Sequence, residues 1–409
     1  MKIGPFIITT KRSLENPAHG ITWEDVWGAT RSQSGQDVTR QNVMKLSAAL
    51  ACVRVLSESI ASLSWMVYER LPGGGKERAT MHPVYSLLHD RPNAIMSSFS
   101  FRERMMMDIL LSGNFYALIE WDKYGQVSGL WPLNPQSVTP YIAKDGRNLA
   151  YKIRSSNGFD GEYQSGNIFH VPAMGDGIVG KSIISYAADT FGIALSQELF
   201  ASTYYANGAH PGGVIETEKK INPDDLARLK VGWSNAYGRN DGGANWHKVA
   251  VLEDGLKWKP MTVSPKDAMI LESRRFQISD IARVFRVPPH LIGDLEKATF
   301  SNIEHQSLDF VTHALRPWCV RIEQEANHKL FLRDEWDGIF TEFLLDSMLR
   351  GDIKSRNEAY QIMRRNGVLN ADEWRERENL NPLPNEQGKK YIVERNMQEL
   401  AQIGKEPKK

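Results

Sequence analysis

The stretch Gly175-Asp-Gly-Ile-Val-Gly180-Lys181-Ser182 comes nearest, by residue type and spacing, to a chemical site. It fits G-x-x-x-x-G-K-[ST], in which backbone N–H groups cradle phosphates. In a nucleotide hydrolase Lys181 would reach the β- and γ-phosphates and Ser182 would hold magnesium. A run resembling the acidic strand of such enzymes, Val249-Ala-Val-Leu-Glu-Asp254, lies downstream. Three features oppose this chemistry. The preceding run, Ile168 to Met174, contains Pro172, whereas a phosphate-loop strand is central and a proline there loses a ladder bond. Such a domain needs several βαβ units; here one side shows an antiparallel hairpin pattern and the other a single inserted module. The helix pattern that follows is also long for a crossover. The plainer reading is a Gly-rich lead into a helix, with a P-loop ATPase built on Lys181 and Ser182 as the competing expectation.

Other reactive residue types form no pattern. His305, His313 and His328 fall on one helix but never at the i, i+4 spacing of a helical metal pair. Cys52 and Cys319 are the only cysteines; that excludes a disulfide framework and a multi-Cys zinc site, and fits a reducing compartment. There is no G-x-S-x-G and no Cys/His nucleophile arrangement. Carboxylates are abundant, but none is marked as an acid–base pair. No cofactor and no metal is therefore expected, and the chain is read as a non-enzyme. Arg274, Arg275, Arg283 and Arg286 read as an exposed or intersubunit face, and Met105-Met-Met107 as core.

Composition narrows the partners. The 409 residues allow one large or two to three ordinary domains. Fifty Lys and Arg against 49 Asp and Glu give a formal charge of +1, without the basic excess of a strong nucleic-acid binder. Contact with DNA should be weak or confined to a small surface. No run approaches the ~18 apolar residues of a membrane helix, and the patch Ile3 to Ile8 is short and holds a proline. No membrane partner is expected.

The elements that must position these residues can be read along the chain. Residues 1–40 are polar and weakly periodic, hence peripheral or partly disordered. From Leu46 apolar residues alternate three and four apart through Ala49, Val53, Leu56, Ile60 and Leu63, a helix. Trp65 to Arg70 is a strand, ended by Pro72-Gly-Gly-Gly75. A helix follows His82-Pro83, and another runs from a Ser100/Glu103 capping box to Gly113. Phe115 to Trp121 and Val127 to Leu133 form a hairpin around Asp122 to Gly125, and short strands fill 138–172. Residues 181–206 read as one long helix, with Ala187, Ala194 and Ala201 allowing close approach of another. Residues 212–263 hold a strand (Gly213 to Thr217), a helix (Pro223 to Tyr237), a Gly/Asn loop and two strands (Lys248 to Leu252, Leu256 to Val263). Helices are expected over 352–366, 370–379 and 388–402.

The best-specified segment is Ser264 to Leu330. Ser264 as N-cap, Pro265 at N1 and Asp267 open a helix that stops before Pro288-Pro289. A Ser301/Glu304 capping box opens the next, with an apolar stripe through Leu308, Val311, Leu315, Trp318 and Ile322 and a bend expected at Pro317. A defined loop between two strong helices is where a scaffold presents something to a partner.

From about Leu46 to Pro384 the chain resembles the HK97-type portal proteins of tailed bacteriophages. The resemblance is carried by His82-Pro83, Leu87-Leu88, Arg91-Pro92-Asn93, Phe101, Gly113-Asn-Phe-Tyr116 and Leu133-Asn-Pro135. It continues through Gly177 to Ser182 and Asn207-Gly-Ala-His-Pro-Gly-Gly-Val-Ile215. Its strongest block is Ile281-Ala-Arg-Val-Phe-Arg-Val-Pro-Pro-His-Leu-Ile-Gly293, with Ser301 to Glu304 and Leu315-Arg-Pro-Trp318 behind it. Gly367 to Arg375 and Leu380-Asn-Pro382 also fit. The family commonly has Gly-x-Ser-Pro at the glycine turn; here Lys181 and Ile183 depart from it. The Gly-Gly-Asp ending often seen in the family is absent.

The resemblance implies an α+β, ring-forming portal fold. Residues 1–40 would be a peripheral N-terminus and 41–179 an α+β wing. Residues 180–208 and 264–287 would be paired stem helices, with an α/β clip at 209–263. Residues 288–301 would be a tunnel loop, 302–351 a kinked helix and wing return, and 352–409 a helical crown. It implies a homo-oligomer of about twelve copies at one capsid vertex of the virion, assembled in the host cytoplasm. This head–tail connector would be the channel for double-stranded DNA packaging and ejection. Its partners would be the major capsid protein, the terminase large subunit (which would hydrolyse the ATP) and later the head–tail adaptor. The DNA-facing tip would be Asp294, Leu295, Glu296, Lys297, Ala298 and Thr299. Arg274, Arg275 and Arg283 are candidates for the subunit interface. A monomeric DNA-binding scaffold is a third expectation.

Overall fold

The structure is a computed structural model. It describes residues 30–143, 148–154, 158–206, 213–216, 222–237, 257–260, 270–295, 300–345, 348, 353–378 and 380–393. The chain divides into two compact units, residues 1–344 and 345–409.

The first unit opens with β1 (Thr30–Arg31), β2 (Asp37–Val38), α1 (Arg40–Val43), α2 (Ser47–Ser62), β3 (Trp65–Arg70), β4 (Lys76–Arg78), α3 (Pro83–His89) and α4 (Ser98–Ser112). Then come β5 (Asn114–Trp121), β6 (Val127–Pro132), β7 (Val138–Ile142), β8 (Leu149–Ile153), β9 (Gly161–Gln164) and β10 (Ile168–Pro172). α5 (Ile183–Tyr186), α6 (Ala188–Ala206), β11 (Gly213–Glu216), α7 (Pro223–Tyr237), β12 (Lys257–Pro260) and α8 (Ile270–Phe285) follow. The unit closes with α9 (Phe300–Asp309), a π-helical segment (Phe310–Leu315), α10 (Arg316–Lys329) and β13 (Ile339–Phe343).

The core forms where the periodicity required it. All six apolar positions expected of α2, from Leu46 to Leu63, are buried, and each of the Leu, Val and Ile side chains among them contributes ~1.5–3 kcal/mol relative to exposure. That stripe lets α2 pack against both α4 and α8. Met105 and Met106 are buried on α4, as a core reading of that run required. Three sheets are three-stranded, in the orders β13-β3-β4, β10-β5-β6 and β7-β8-β9, and every pairing in them is antiparallel. The α+β class with antiparallel sheets is what the strand pattern called for.

One helix manages two sheet edges. Arg321 on α10 donates to the carbonyls of Pro172 (3.0 Å) and Ala173 (3.2 Å) at the end of edge strand β10. On the same helix, Glu323 accepts from Phe343 N (2.7 Å) and Asn327 from Thr341 N (2.7 Å) on edge strand β13. Open strand edges are pairing hazards, and side chains of α10 take up groups on both.

Several boundaries differ from the sequence reading, each for a local reason. α4 starts at Ser98 because Ser97, not Ser100, is its N-cap and accepts from Ser100 N. α9 is already helical at Phe300, so Ser301 lies inside it and does not cap it. The long helix over 181–206 is two helices, interrupted at Ala187 (φ −109°, ψ 30°). The bend expected at Pro317 takes the form of the π segment just before it. Pro317 has no N–H to give and its ring needs room on the preceding turn. The widened turn also shifts the buried stripe by one residue: Cys319, Ile322, Ala326 and Leu330 are buried, Trp318 is only partly so, and Leu308 is 51% exposed.

Two more segments bear on the expected domains. β1 and β2 pair and lie on α6: Gln33 N donates to Asp189 Oδ1 (2.8 Å), and a Cβ on Gly192 would sit 2.1 Å from Ser32 Oγ. In the inserted module, α7 covers Pro223–Tyr237 as read, and β11 pairs antiparallel with β12. Its expected strand at Lys248 to Leu252, the acidic run to Asp254 and the Ser264 cap lie outside the described residues.

The second unit holds α11 (Ile353–Arg365) and α12 (Ala371–Arg377). α12 carries a full capping box, Asn370 with Glu373. Tyr360 meets Trp374 edge-on (5.7 Å), and Tyr391 Oη donates to Glu373 (2.6 Å). The α-helix read over 388–402 is absent at 388–393: Gly388 and Lys389 end a 3-10 turn, residues 390–392 have no regular structure, and Val393 bridges Asn366; residues 394–402 lie outside the described residues.

Candidate functional site

The phosphate-loop signal resolves first. β10 is an edge strand of an antiparallel sheet, where Pro172 is tolerated. The turn after it closes on itself through a Gly175–Gly180 bridge. The Asp176 carboxylate accepts from Ile178 N (2.9 Å) and Val179 N (2.8 Å). Asn114 Oδ1 accepts from Gly180 N (2.8 Å), and Met174 O from Lys181 N (2.8 Å). The amides of Ile178, Val179, Gly180 and Lys181 are thus occupied by the chain and not open to a phosphate. Ser182 is fully buried; its hydroxyl donates to Leu111 O (3.0 Å) and accepts from Ile184 N (3.0 Å), capping α5. Lys181 Nζ lies 5.0 Å from the Tyr186 ring centroid. Lys181 and Ser182 therefore do not form a nucleotide site, and the ATPase expectation is not supported.

The glycines serve packing. A Cβ on Gly180 would fall 2.0 Å from Gly113 O and 2.3 Å from Ala173 N. Gly113 ends α4 in the left-handed region (φ 78°), and its own Cβ would meet Lys181 and Ser182 backbone at 2.6 Å. The turn and the end of α4 are in direct backbone contact, which only glycine permits.

Behind the turn lies a buried polar chain built on Asn114, which the Gly113-Asn-Phe-Tyr116 motif contains, and on His170, which no motif had marked. Asn114 Nδ2 donates to Gly180 O (2.7 Å), so its Oδ1 is the acceptor for Gly180 N and for His170 Nε2 (3.0 Å). That places the His170 proton on Nε2, leaving Nδ1 to accept from Tyr151 Oη (3.1 Å). Tyr116 stacks on the imidazole at 4.4 Å. Burial, with the Lys329 cation nearby, lowers the His170 pKa to about 3, so the ring is neutral at ordinary pH. The chain joins β8, β10, β5 and the turn. Its sequence signal was slight: a Gly-Asn pair at a helix end and a lone His in an apolar strand.

The second region is the helix pair α6 and α8. They pack antiparallel: Gln277 donates to Thr190 O (3.0 Å), Gln197 to Ser273 Oγ (3.0 Å), and Phe191 meets Phe285 at 6.0 Å. Ala194 and Ala201 are buried, as the small-residue spacing anticipated. Arg274 donates to Glu198 of the same chain (2.9 Å) and Arg283 to Asp280 (2.7 Å). Both pairs are substantially exposed, and each contributes ~0–1 kcal/mol. Arg275 lies on the exposed surface of α8.

α8 leads into a rigid elbow. Arg286 turns the chain at φ 56°, with Val287 N bonded to Ala282 O (2.9 Å). Pro288 then starts a 3-10 turn, Pro289–Ile292, ended by Gly293 at φ 88° and by Asp294 N on Pro289 O (3.0 Å). The elbow packs on α2 and α8, and His290 Nδ1 lies 2.9 Å from Gln306 Oε1 on α9. Of the expected tip, Asp294 is half-buried and Leu295 is 62% exposed; Glu296, Lys297, Ala298 and Thr299 lie outside the described residues. Among the described residues no group of three His, Cys, Asp or Glu is placed to hold a metal, and no helix is long and apolar enough to cross a membrane.

The family model described as phage portal protein matches residues 47–379, and the chain belongs to that family. Its likeness is to the HK97-type branch. It is 31% identical over 352 residues to the portal protein of Enterobacteria phage HK97, covering 85% of this chain and 81% of that one. It is 35% identical over 391 residues to the probable portal protein of Streptomyces phage phiC31, covering 91% and 82%. In fold it matches a chain from the neck of a native gene transfer agent particle computed with C12 symmetry. The TM-score is 0.52 at 21% identity, covering 88% of this chain and all of that one.

Proposed function

We propose that about twelve copies of this chain close into a ring at one capsid vertex, forming the channel through which double-stranded DNA is packaged and ejected. The observation that carries this reading is the antiparallel pair α6/α8 running directly into the braced elbow 286–295, in a chain of the portal family. In this reading residues 41–179 are the wing, 180–208 and 264–287 the stem, 209–263 the clip, 288–301 the tunnel loop, 302–351 the kinked helix and wing return, and 352–409 the crown. The ring sits in the virion after assembly in the host cytoplasm, against the major capsid protein. The clip docks the terminase large subunit, which hydrolyses the ATP, and later the head–tail adaptor. The portal itself is not an enzyme.

The loop's charge suits passage. DNA carries one negative charge per roughly 1.7 Å of axis, and a protein making about 6–10 phosphate contacts binds it strongly. A channel that gripped in this way would stall. The tip Asp294, Leu295, Glu296, Lys297, Ala298, Thr299 has two acids and one base. Lys297 gives transient phosphate contacts while Asp294 and Glu296 prevent tight ones. Arg274, Arg275 and Arg283 face acids of a neighbouring subunit. Arg274 and Arg283 already hold acids of their own chain, so a neighbour would join those pairs.

Packaging by heads that carry Asp294→Lys and Glu296→Lys together tests the loop. The reading expects packaging to slow severalfold, with wild-type ring assembly. An unchanged rate and unchanged DNA retention would defeat it.

A further inference from the structure

We infer that the aromatic side of one copy's α6/α8 pair packs on the ion-paired side of the next copy's pair, with Phe276 seated on the neighbour's Arg274. The inference rests on the ring reading above and takes a second copy of this chain as the partner.

The two helices form a pair with two unlike sides. An α-helix turns about 100° per residue, so residues two apart point to nearly opposite sides. Ser273 and Gln277 on α8 meet Gln197 and Thr190 on α6, which fixes the seam. Arg274 donates to Glu198 across one side of that seam (2.9 Å). Phe191, seven residues before Glu198, and Phe285, eleven after Arg274, fall on that same side and are buried against each other. Phe276 is two residues past Arg274, and Phe200 two past Glu198, so both rings lie on the other side. Ile193, seven before Phe200, shares its line on α6. Here nothing is buried: Phe276 is 62%, Phe200 53% and Ile193 47% exposed. The chain covers the apolar residues of one side and leaves those of the other at the surface.

The ion-paired side supplies the complement. A head-to-tail ring joins two different faces of the same chain. An exposed aromatic face calls for a cover, and a guanidinium stacks on a ring while keeping its bond to a carboxylate. Arg274 holds Glu198 with 44% of its side chain still exposed. Arg274 and Phe276 also stand about 3 Å apart along α8. A rotation about an axis along the pair therefore brings the ring of one copy to the arginine of the next.

A double-mutant cycle on ring stability tests this, read as the protein concentration below which rings fall to single chains. Phe276→Ser should raise that concentration about tenfold or more, while the dissociated chain unfolds as wild type does. Phe276→Trp, which keeps an aromatic face, holds the wild-type concentration. Arg274→Ala weakens the ring too, and the double variant is no worse than the weaker single variant. Within one chain the two side chains point apart, so that coupling arises between copies. The inference is overturned if Phe276→Ser leaves the rings unchanged, if it destabilises the dissociated chain, or if the two losses simply add. If the wild-type chain forms no ring, the ring reading fails first and independently of Phe276.

Discussion

The glycine turn at 175–182 and the loop base at 286–295 invite opposite conclusions from their letters and from their geometry. The turn spells a phosphate site, yet the amides of Ile178, Val179, Gly180 and Lys181, its serine hydroxyl and the surfaces of Gly175 and Gly180 are used by the chain. The loop base spells no reaction, yet it is held at fixed geometry with an arginine exposed beside it. Chemistry needs groups left over after folding. The turn has spent those amides and its serine, and the loop base has kept charge in reserve.

The largest effect that would break this contrast comes from Gly180→Ala. With backbone atoms of Gly113 and Ala173 within 2.3 Å of the new Cβ, we expect a loss of about 4 kcal/mol or more of stability, or no folded chain. Chemical denaturation measures it; a loss below about 1 kcal/mol would show that the turn has room.

Acid provides the next test. His170 is neutral when folded because its pKa is lowered to about 3, while the unfolded chain protonates it near 6.5. Between these values the unfolded state binds more protons. Stability is therefore fully present above about pH 6.5 and falls as pH drops toward 3, by on the order of a few kcal/mol. The rise of urea midpoint with pH over that window should flatten in His170→Phe, at the cost of a lower plateau because Asn114 and Tyr151 lose a partner. An equally steep dependence in that variant would place the titration elsewhere.

Lys181→Ala should do the least. The lysine rests on the Tyr186 ring at the surface, an interaction of about 0.5–1 kcal/mol. Packaging by heads that carry it should match wild type. A collapse of packaging with the ring intact would return the turn to the list of working sites.

These contrasts also show how much the residues disclosed in advance. Repetition was legible: α2 appeared with all six buried positions, and the strand Trp65–Arg70 at both ends. Chain-local rules were legible only in part. Ser97 and Ser100 are both cap-forming residue types; Ser97 takes the role, and Ser98 in the first turn donates its hydroxyl to Leu88 O. The π segment could not be anticipated, because one proline permits a kink, a break or a widened turn, and only the structure shows the last. That Asn114 and His170 belong to one buried chain could not be read for a related reason. Its members are 56 residues apart and meet only once β5 pairs with β10. At the loop base the prolines and Gly293 were local signals of the chain's turning, while the start of the following helix at Phe300 was not read correctly.

The central claim is that the stem pair and the braced loop belong to a channel. A low-resolution image of the purified full-length particle tests it most directly. The account predicts a ring of about twelve subunits with an open central hole; a monomer, or a closed particle with no hole, would contradict it.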